Sequence, residues 1–176
     1  MRQEEQHIRR IVITNPLGFH VRPIQRFAEL AQAFRCTIQV RVEDREACGK
    51  SVMGLMSLRA TRGSEMQVAT SGEDAQQALA VLCGLVENDF FVEEVAHDAL
   101  TKDRHIRRLV WLVSCFDSDV LVELDGRRAD ARSFGDVVNL GIRPDSKVSF
   151  HCSGRDAEQA RKVLETVARR CFYVEE

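Results

Sequence analysis

The stretch from residue 11 to residue 23 reads IVITNPLGFHVRP and contains a strand followed by the start of a helix. The apolar run Ile11–Ile13 is typical of a short strand, which the turn residues Pro16 and Gly18 close. Pro23 falls in the first helical turn, where a missing N–H costs nothing, so His20 stands at the mouth of a helix. Apolar spacing beyond it predicts one buried helix face, made of Ile24, Phe27, Ala28, Leu30, Ala31 and Phe34.

The residues that follow alternate between strand and helix patterns. Thr37–Val42 alternates apolar and polar residues, and further short strands are expected around Ala47-Cys48 and at Met66–Thr70. Helices are expected at Ser51–Leu58 and Asp74–Val86. The order β-α-β-β-α-β-α predicts an α+β fold with helices on one face of an antiparallel sheet.

The composition is that of a globular protein with one large domain or two small ones. The chain has 176 residues, of which 44% are hydrophobic and 30% charged, and its net charge is −2. Such a charge gives no general attraction to nucleic acid or to an anionic membrane. No apolar run is long enough to span a bilayer and the N-terminus lacks a signal-peptide core, so a cytoplasmic location is expected.

Six cysteines are scattered through the sequence without a CxxC pair. Most lie in apolar stretches, which predicts small buried side chains in a reducing compartment. Neither a metal site nor a cofactor is expected.

An internal repeat divides the chain. Residues 47–94 match residues 129–176 without a gap, at a shift of 82 (129 − 47) and with 16 identities in 48 positions. Upstream, Ile8–Val12 resembles Ile106–Val110 at a shift of 98 (106 − 8). The 16-residue difference between the two shifts predicts that the second copy lacks the first helix and the segment around His20.

This pattern gives two domains, at residues 1–94 and 105–176, joined by a linker at Val95–Arg104. Without the first helix, Leu109–Val113 and Val120–Leu124 are expected to form an antiparallel hairpin, or the first of them to pair outside its own domain. A parallel connection normally needs a dozen or more residues, and only Ser114–Ser118 lie between Leu109–Val113 and Asp119–Leu124. The sheet face carrying Trp111 would then be uncovered and would pack on the first copy or in a homodimer.

His20 has a chemical use at the mouth of a helix. The unbonded N–H groups of a first turn, together with the helix dipole, favour a phosphate, and Arg22 can add a charge-assisted contact. A histidine is partly neutral and nucleophilic at cellular pH. The alternative is a capping or surface histidine with no chemical role.

The second motif, GKSVMGLMSL at residues 49–58, is by itself a helix capped by Ser51 with methionines in the core.

Together, the two motifs, the 31-residue separation of His20 and Ser51 (51 − 20) and the order of elements resemble HPr, the histidine phosphocarrier of the bacterial sugar phosphotransferase system. The resemblance covers residues 7–90 and implies an open-faced sandwich with helices on one face of a four-stranded antiparallel sheet. It implies that His20 carries the phosphoryl group, that Arg22 steadies it and that Ser51 is a regulatory site for an HPr kinase. The implied partner surface consists of Val52, Met53 and Met56, with Lys50 and Phe19.

Two functions remain open. In the first, the chain is a phosphocarrier and not itself an enzyme: it accepts a phosphoryl group from enzyme I on His20 and passes it to an acceptor domain. In the second, it is a regulatory binding module controlled by Ser51, with little phosphoryl transfer. In the second copy, His105 and His151 are expected to be structural and Ser133 to be a helix cap.

Overall fold

The computed structural model describes residues 6–87, 100–143, 146–171 and 173–174. The chain divides into two compact units, Met1–Glu93 and Glu94–Glu176. The elements of the first unit are β1 (Gln6–Val12), α1 (Val21–Gln32), β2 (Thr37–Val42), β3 (Arg45–Cys48), α2 (Val52–Ser57), β4 (Glu65–Ser71) and α3 (Ala75–Glu87).

The first unit has a four-stranded sheet in the order β1-β4-β2-β3. Each neighbouring pair is antiparallel, with Ile11 opposite Met66 in one pair and Val40 opposite Val68 in another. Because β1 and β2 both run against β4, they are parallel to each other, and α1 is the connection that returns the chain between them. This is the HPr-like α+β fold that the sequence predicts.

The core of the first unit lies between the sheet and its helices. On β2 the buried residues Ile38, Val40 and Val42 alternate with exposed ones, as expected for a sheet with one face covered. Burial of each large apolar side chain contributes about 1.5–3 kcal/mol. The helix face expected from apolar spacing is confirmed within α1, where the expected residues are at most 4% exposed, namely Ile24, Phe27, Ala28, Leu30 and Ala31. Phe34 is also buried, but it lies two residues beyond the end of α1.

The second unit begins with a helix. Its elements are α4 (Leu100–Ser114), β5 (Asp119–Leu124), β6 (Arg127–Asp130), α5 (Phe134–Leu140), β7 (Lys147–Ser153), α6 (Ala157–Cys171) and β8 (Tyr173–Val174). The sheet order is β6-β5-β7-β8. The short β8 pairs with β7 in parallel. It takes the edge position that β1 takes in the first sheet, where β1 pairs with β4 in antiparallel.

The second unit therefore has the helix that the sequence analysis expected it to lack, and that prediction is wrong. Two sets of contacts show that α4 corresponds to α1 at the constant shift of 82. Asp74 accepts hydrogen bonds from the backbone N–H groups of Arg35 and Cys36, and Asp156 does the same for residues 117 and 118. The Lys50 ammonium donates to the Phe34 carbonyl, and the guanidinium of residue 132 donates to the carbonyl of residue 116.

The two Asp carboxylates thus hold equivalent corners of the two units. For Asp156, burial acts to raise the pKa, but hydrogen bonds from the Ser118 hydroxyl and from the N–H groups of Asp117 and Ser118 lower the pKa below its ordinary value. The loop between α4 and β5 is therefore tied to the start of α6.

The expected hairpin is also wrong. Leu109–Val113 lies inside α4, and Val120–Leu124 lies in β5, which pairs with β6 and β7. Residues 109, 112 and 113 of α4 are buried, so α4 supplies the apolar face whose absence was the reason to expect a homodimer. A domain boundary at residue 105 would fall inside α4, and residues 95–99 of the expected linker lie outside the described residues.

The cysteines only partly follow the expectation. Cys36 and Cys83 are buried, but Cys48 is exposed on β3, which corrects the expectation for that residue. Burial raises the pKa of Cys83 to about 12, and burial together with a hydrogen bond to Asp74 does the same for Cys36. These two thiols are poor nucleophiles.

No helix within the described ranges is long and apolar enough to cross a membrane.

Candidate functional site

The loop before α1 is built on a turn at Asn15. The backbone carbonyl of Asn15 accepts a hydrogen bond from the Gly18 N–H at 2.9 Å, and its side-chain Oδ1 accepts one from the Leu17 N–H, also at 2.9 Å. Asn15 is 8% exposed. An Asn side chain that bonds the backbone two residues later mimics a turn and fixes it. The chain therefore reverses direction just before His20 in a defined conformation.

The same loop is anchored to the segment that follows α2. The Phe19 N–H donates to the Ala60 carbonyl at 3.0 Å, and Gly18 has a φ of +69° in the left-handed region. A Cβ at Gly18 would lie 2.9 Å from both the Ala60 oxygen and the Thr61 Cα. Glycine is required here for its backbone conformation and for the close approach of the two loops.

We expect Gly18→Ala to destabilise the first unit by about 2–4 kcal/mol, because it combines left-handed strain with overlap against backbone atoms that cannot rotate away. Urea unfolding checks the effect. Gly63→Ala is the matched control, since Gly63 also has a positive φ, of +87°, but a Cβ there meets nothing within 4 Å. If the two variants are equally stable, the contact between the loops does not hold the site together.

His20 is the N-cap residue of α1. Its backbone is extended, with φ −89° and ψ −174°, and its side chain makes no capping hydrogen bond. His20 is half-buried. Its backbone carbonyl accepts the first helical hydrogen bond, from the Ile24 N–H at 3.0 Å. The first turn holds no acidic side chain. A histidine held in this way can present its ring to a partner and to the positive end of a twelve-residue helix.

Donors for an anion are present in the first turn. A helix leaves the N–H groups of its first turn without a partner inside the helix, and Pro23 has no N–H. The Arg22 side chain is exposed. A phosphoryl group on His20 would meet an arginine and a helix N-terminus that carries no opposing carboxylate.

Phe19 and Lys50 do not lie where the sequence analysis expected them. Phe19 is 6% exposed and packs edge-on against Phe27, with ring centroids 5.6 Å apart. It supports the site from within the core, and its assignment to the partner surface is wrong. The Lys50 ammonium is tied to the Phe34 carbonyl at 2.7 Å, so Lys50 acts first as a structural link to the end of α1.

The exposed apolar surface includes two residues that the sequence analysis did not select. Met53 and Met56 are 75% and 42% exposed, while Val52 is half-buried. Leu17 and Val21, which flank the His20 segment, are 77% and 47% exposed. Large apolar side chains exposed in this way are typical of an interaction surface. Their position beside a motif histidine could have indicated them from the sequence.

Ser51 caps α2. Its Oγ accepts a hydrogen bond from the Gly54 N–H at 3.1 Å, and the residue is half-buried. Gln32, at the end of α1, donates to the Lys50 carbonyl at 3.1 Å, so Ser51 is held against the helix that His20 begins. Modification at Ser51 would therefore occur beside Met53 on the same unit.

The second unit lacks a histidine at the matching position. At a shift of 82, Lys102 replaces His20 and Arg104 replaces Arg22, so the arginine position does have a counterpart in the sequence. His105 lies within α4 and not in a linker. His151 is exposed on β7, 3.0 Å from a Glu123 carboxylate oxygen.

Ser133 caps α5 by accepting a hydrogen bond from the Asp136 N–H. The described part of the chain contains no group of three or more side chains suited to hold a metal ion.

Known phosphocarrier proteins are similar to part of this chain in sequence. The Phosphocarrier protein HPr of Neisseria meningitidis serogroup A is 37% identical over 83 residues, which are 47% of this chain and 92% of that protein. The Phosphocarrier protein NPr of Shewanella violacea is 34% identical over 82 residues, covering 47% and 90%. The crystal structure of HPr from Bacillus anthracis shares 31% identity over 46% of this chain and 96% of that one, with a TM-score of 0.45.

Both halves of the chain match one family model. The model, described as the PTS HPr component phosphorylation site, matches residues 8–88 and again residues 94–170. The two matches correspond to the two units of the structure and together cover most of the sequence. This chain belongs to the HPr family of phosphocarrier proteins, as a tandem of two HPr-like domains.

Proposed function

We propose that the chain accepts a phosphoryl group from enzyme I on His20 and passes it to an acceptor domain of the phosphotransferase system. The observation that supports this most strongly is the placement of His20, half-buried at the N-cap of α1 with a side chain that is not used for capping. On loading, a His20 ring nitrogen gives its lone pair to phosphorus, while the bond from phosphorus to enzyme I breaks and its electron pair stays with enzyme I. On unloading, a nucleophile of the acceptor bonds to phosphorus, and the electron pair of the P–N bond returns to His20. The chain carries the group and does not change it.

In this proposal the first domain carries the group and the second does not. The surface for partners consists of Val52, Met53 and Met56, extended by the exposed Leu17 and Val21. Lys102 at the position of His20 cannot form a phosphohistidine. We place the second domain at residues 94–176, so that it includes all of α4.

The test is a relay. The whole chain is incubated with enzyme I and labelled phosphoenolpyruvate, and an acceptor domain is then added. We expect the chain to take the label and then to lose it to the acceptor. A chain that takes the label and keeps it would contradict a carrier role.

The second candidate, a regulatory module controlled by Ser51, has its own support. Ser51 lies close in sequence to the exposed Met53, and its Oγ is held at the start of α2 by the Gly54 N–H. The two candidate functions predict different rates of phosphoryl transfer by the chain without phosphate on Ser51. A carrier transfers the group in that state, whereas a regulatory module shows little transfer either before or after Ser51 is phosphorylated.

Arg22 should contribute to transfer without contributing to stability. We expect Arg22→Ala to slow the loading of His20 by about 10-fold, the usual worth of one charge-assisted hydrogen bond. Because the side chain is exposed, the free energy of unfolding should change by less than about 0.5 kcal/mol. Arg41→Ala, on the outer face of β2, removes the same charge away from His20 and is the control. An unchanged loading rate in Arg22→Ala would remove Arg22 from the mechanism.

A further inference from the structure

Arg59 occupies a backbone position that suits glycine. Its φ is +50°, and the matching residue of the second unit, Gly141, has a φ of +72°. Each N–H makes the same bond at the end of a short helix, from Arg59 to the Met56 carbonyl and from Gly141 to the carbonyl of residue 138. A side chain with a Cβ is strained in this conformation, and glycine is not.

The other strained non-glycine positions among the described residues differ from Arg59. They are Glu43 and Asp125, with φ of +54° and +51°, which match each other at the shift of 82 and lie in equivalent turns between two strands. Strain there belongs to a turn that both units share. At Arg59, one unit relieves the strain with glycine and the other holds an arginine.

No contact within the described part of the domain offsets this strain. The Arg59 side chain is exposed, and its guanidinium forms no ion pair or hydrogen bond with the residues that the structure describes. Side chains held in unfavourable backbone conformations without internal compensation are typical of functional positions.

Arg59 lies beside the His20 loop. It precedes Ala60, whose carbonyl accepts the Phe19 N–H at 3.0 Å. Bond lengths along this path place the Arg59 and His20 Cα atoms at most about 15 Å apart. A protein interface of standard size buries about 800 Å² on each partner, a patch roughly 30 Å across. An interface of this size that is centred on His20 reaches Arg59.

The two segments that contain the His20 loop and α2 carry charged side chains of one sign. Residues 13–26 and 49–63 contain no Asp or Glu, although the whole chain has a net charge of −2. The basic side chains in these two segments are Arg22, Arg26, Lys50, Arg59 and Arg62. A partner that fits this face presents carboxylates around an apolar centre.

We propose that Arg59 is a specificity-determining contact for the phosphoryl donor, binding acidic side chains on the surface that docks over His20. This inference rests on the proposed phosphocarrier function. The backbone strain at Arg59 is retained in the free protein, while the contact that makes the arginine useful forms in the complex.

The test uses the whole chain, enzyme I and labelled phosphoenolpyruvate. Arg59→Gly should raise the Tm of the first domain by about 2–4 °C, because it relieves left-handed strain. It should also raise the KM of enzyme I for the chain by about 3- to 10-fold at low salt, with kcat unchanged and with a smaller difference at high salt. Arg59→Lys, which keeps the charge, should stay within about 2-fold of the wild-type KM. Glu43→Gly, the matched control, should raise the Tm without changing the KM.

A KM for Arg59→Gly equal to that of the wild type would overturn the inference. An equal rise in KM for Glu43→Gly would overturn it as well, because the loss would then follow backbone flexibility and not the lost charge. A wild-type chain that takes no label from enzyme I would contradict the proposed function, and this inference with it.

Discussion

His20→Ala should give a folded chain that accepts no phosphoryl group from enzyme I. No other histidine lies in the described part of the first domain except His7 on β1, and the position that matches His20 in the second domain is Lys102. The transfer needs a nucleophilic ring nitrogen, so the loading rate should fall at least about 1,000-fold. The fold should persist, since the His20 side chain makes no capping hydrogen bond and its loss removes none.

Matched variants separate this effect from a general loss of structure. His151→Ala and His105→Ala remove the described histidines of the second domain and should load at the wild-type rate. Circular dichroism and the Tm of each variant report whether it folds. Label on folded His20→Ala would show that the phosphoryl group is carried elsewhere.

Phosphorylation of Ser51 by an HPr kinase should slow the loading of His20 by about 10- to 100-fold. The phosphate adds about −2 charge beside Met53, on a face whose nearby segments carry basic residues and no acid. The negative phosphate repels the carboxylates of an acidic partner. Electrostatic attraction or repulsion between partners changes association rates over one to three orders of magnitude. The loading rate of the phosphorylated chain, measured against enzyme I at low and high salt, checks the prediction.

The controls for Ser51 use the repeat. Ser51→Ala should load at nearly the wild-type rate while losing about 1 kcal/mol of stability, because the Oγ no longer caps α2. Ser133→Asp adds charge at the matching cap of the second domain and should not change loading. Kinase treatment that phosphorylates Ser133 alone, or Ser51 with no effect on the rate, would contradict the prediction.

The first domain could be predicted closely from its sequence where one periodic pattern dominates. Thr37–Val42 forms β2 with the expected bounds, because strict alternation of apolar and polar residues fits a strand and does not fit a helix. The face of α1 could be predicted in the same way, from its helical apolar spacing. Pro16 and Gly18 indicate the turn that follows Asn15. The hydrogen bond from the Leu17 N–H to the Asn15 side chain depends on the burial of Asn15, which the sequence does not reveal.

The structure of the second domain differs from the prediction because a short sequence match favours a strand where the apolar spacing is helical. Ile106–Val110 resembles the strand residues Ile8–Val12 over five positions, and an apolar run of that length is compatible with strand or helix. Buried residues of α4 at Ile106, Leu109, Leu112 and Val113 follow helical spacing. Continuing the shift of 82 upstream, where Phe34 meets Phe116, would have identified the helix.

At the site, the sequence could indicate which residues matter but not which way they face. Phe19 belongs to the motif of His20 and yet packs in the core. The backbone strain at Arg59 is also invisible in a single copy, because arginine is an ordinary residue in a loop. The glycine at position 141 of the repeat was the signal that could have indicated it.

The most direct measurement is the location of the phosphate in the loaded chain. After incubation with enzyme I and phosphoenolpyruvate, the intact chain is digested at alkaline pH and its phosphopeptide identified by mass spectrometry. The account predicts one phosphate, lost in acid and carried by His20. An acid-stable phosphate, or one found in the second domain, would contradict it.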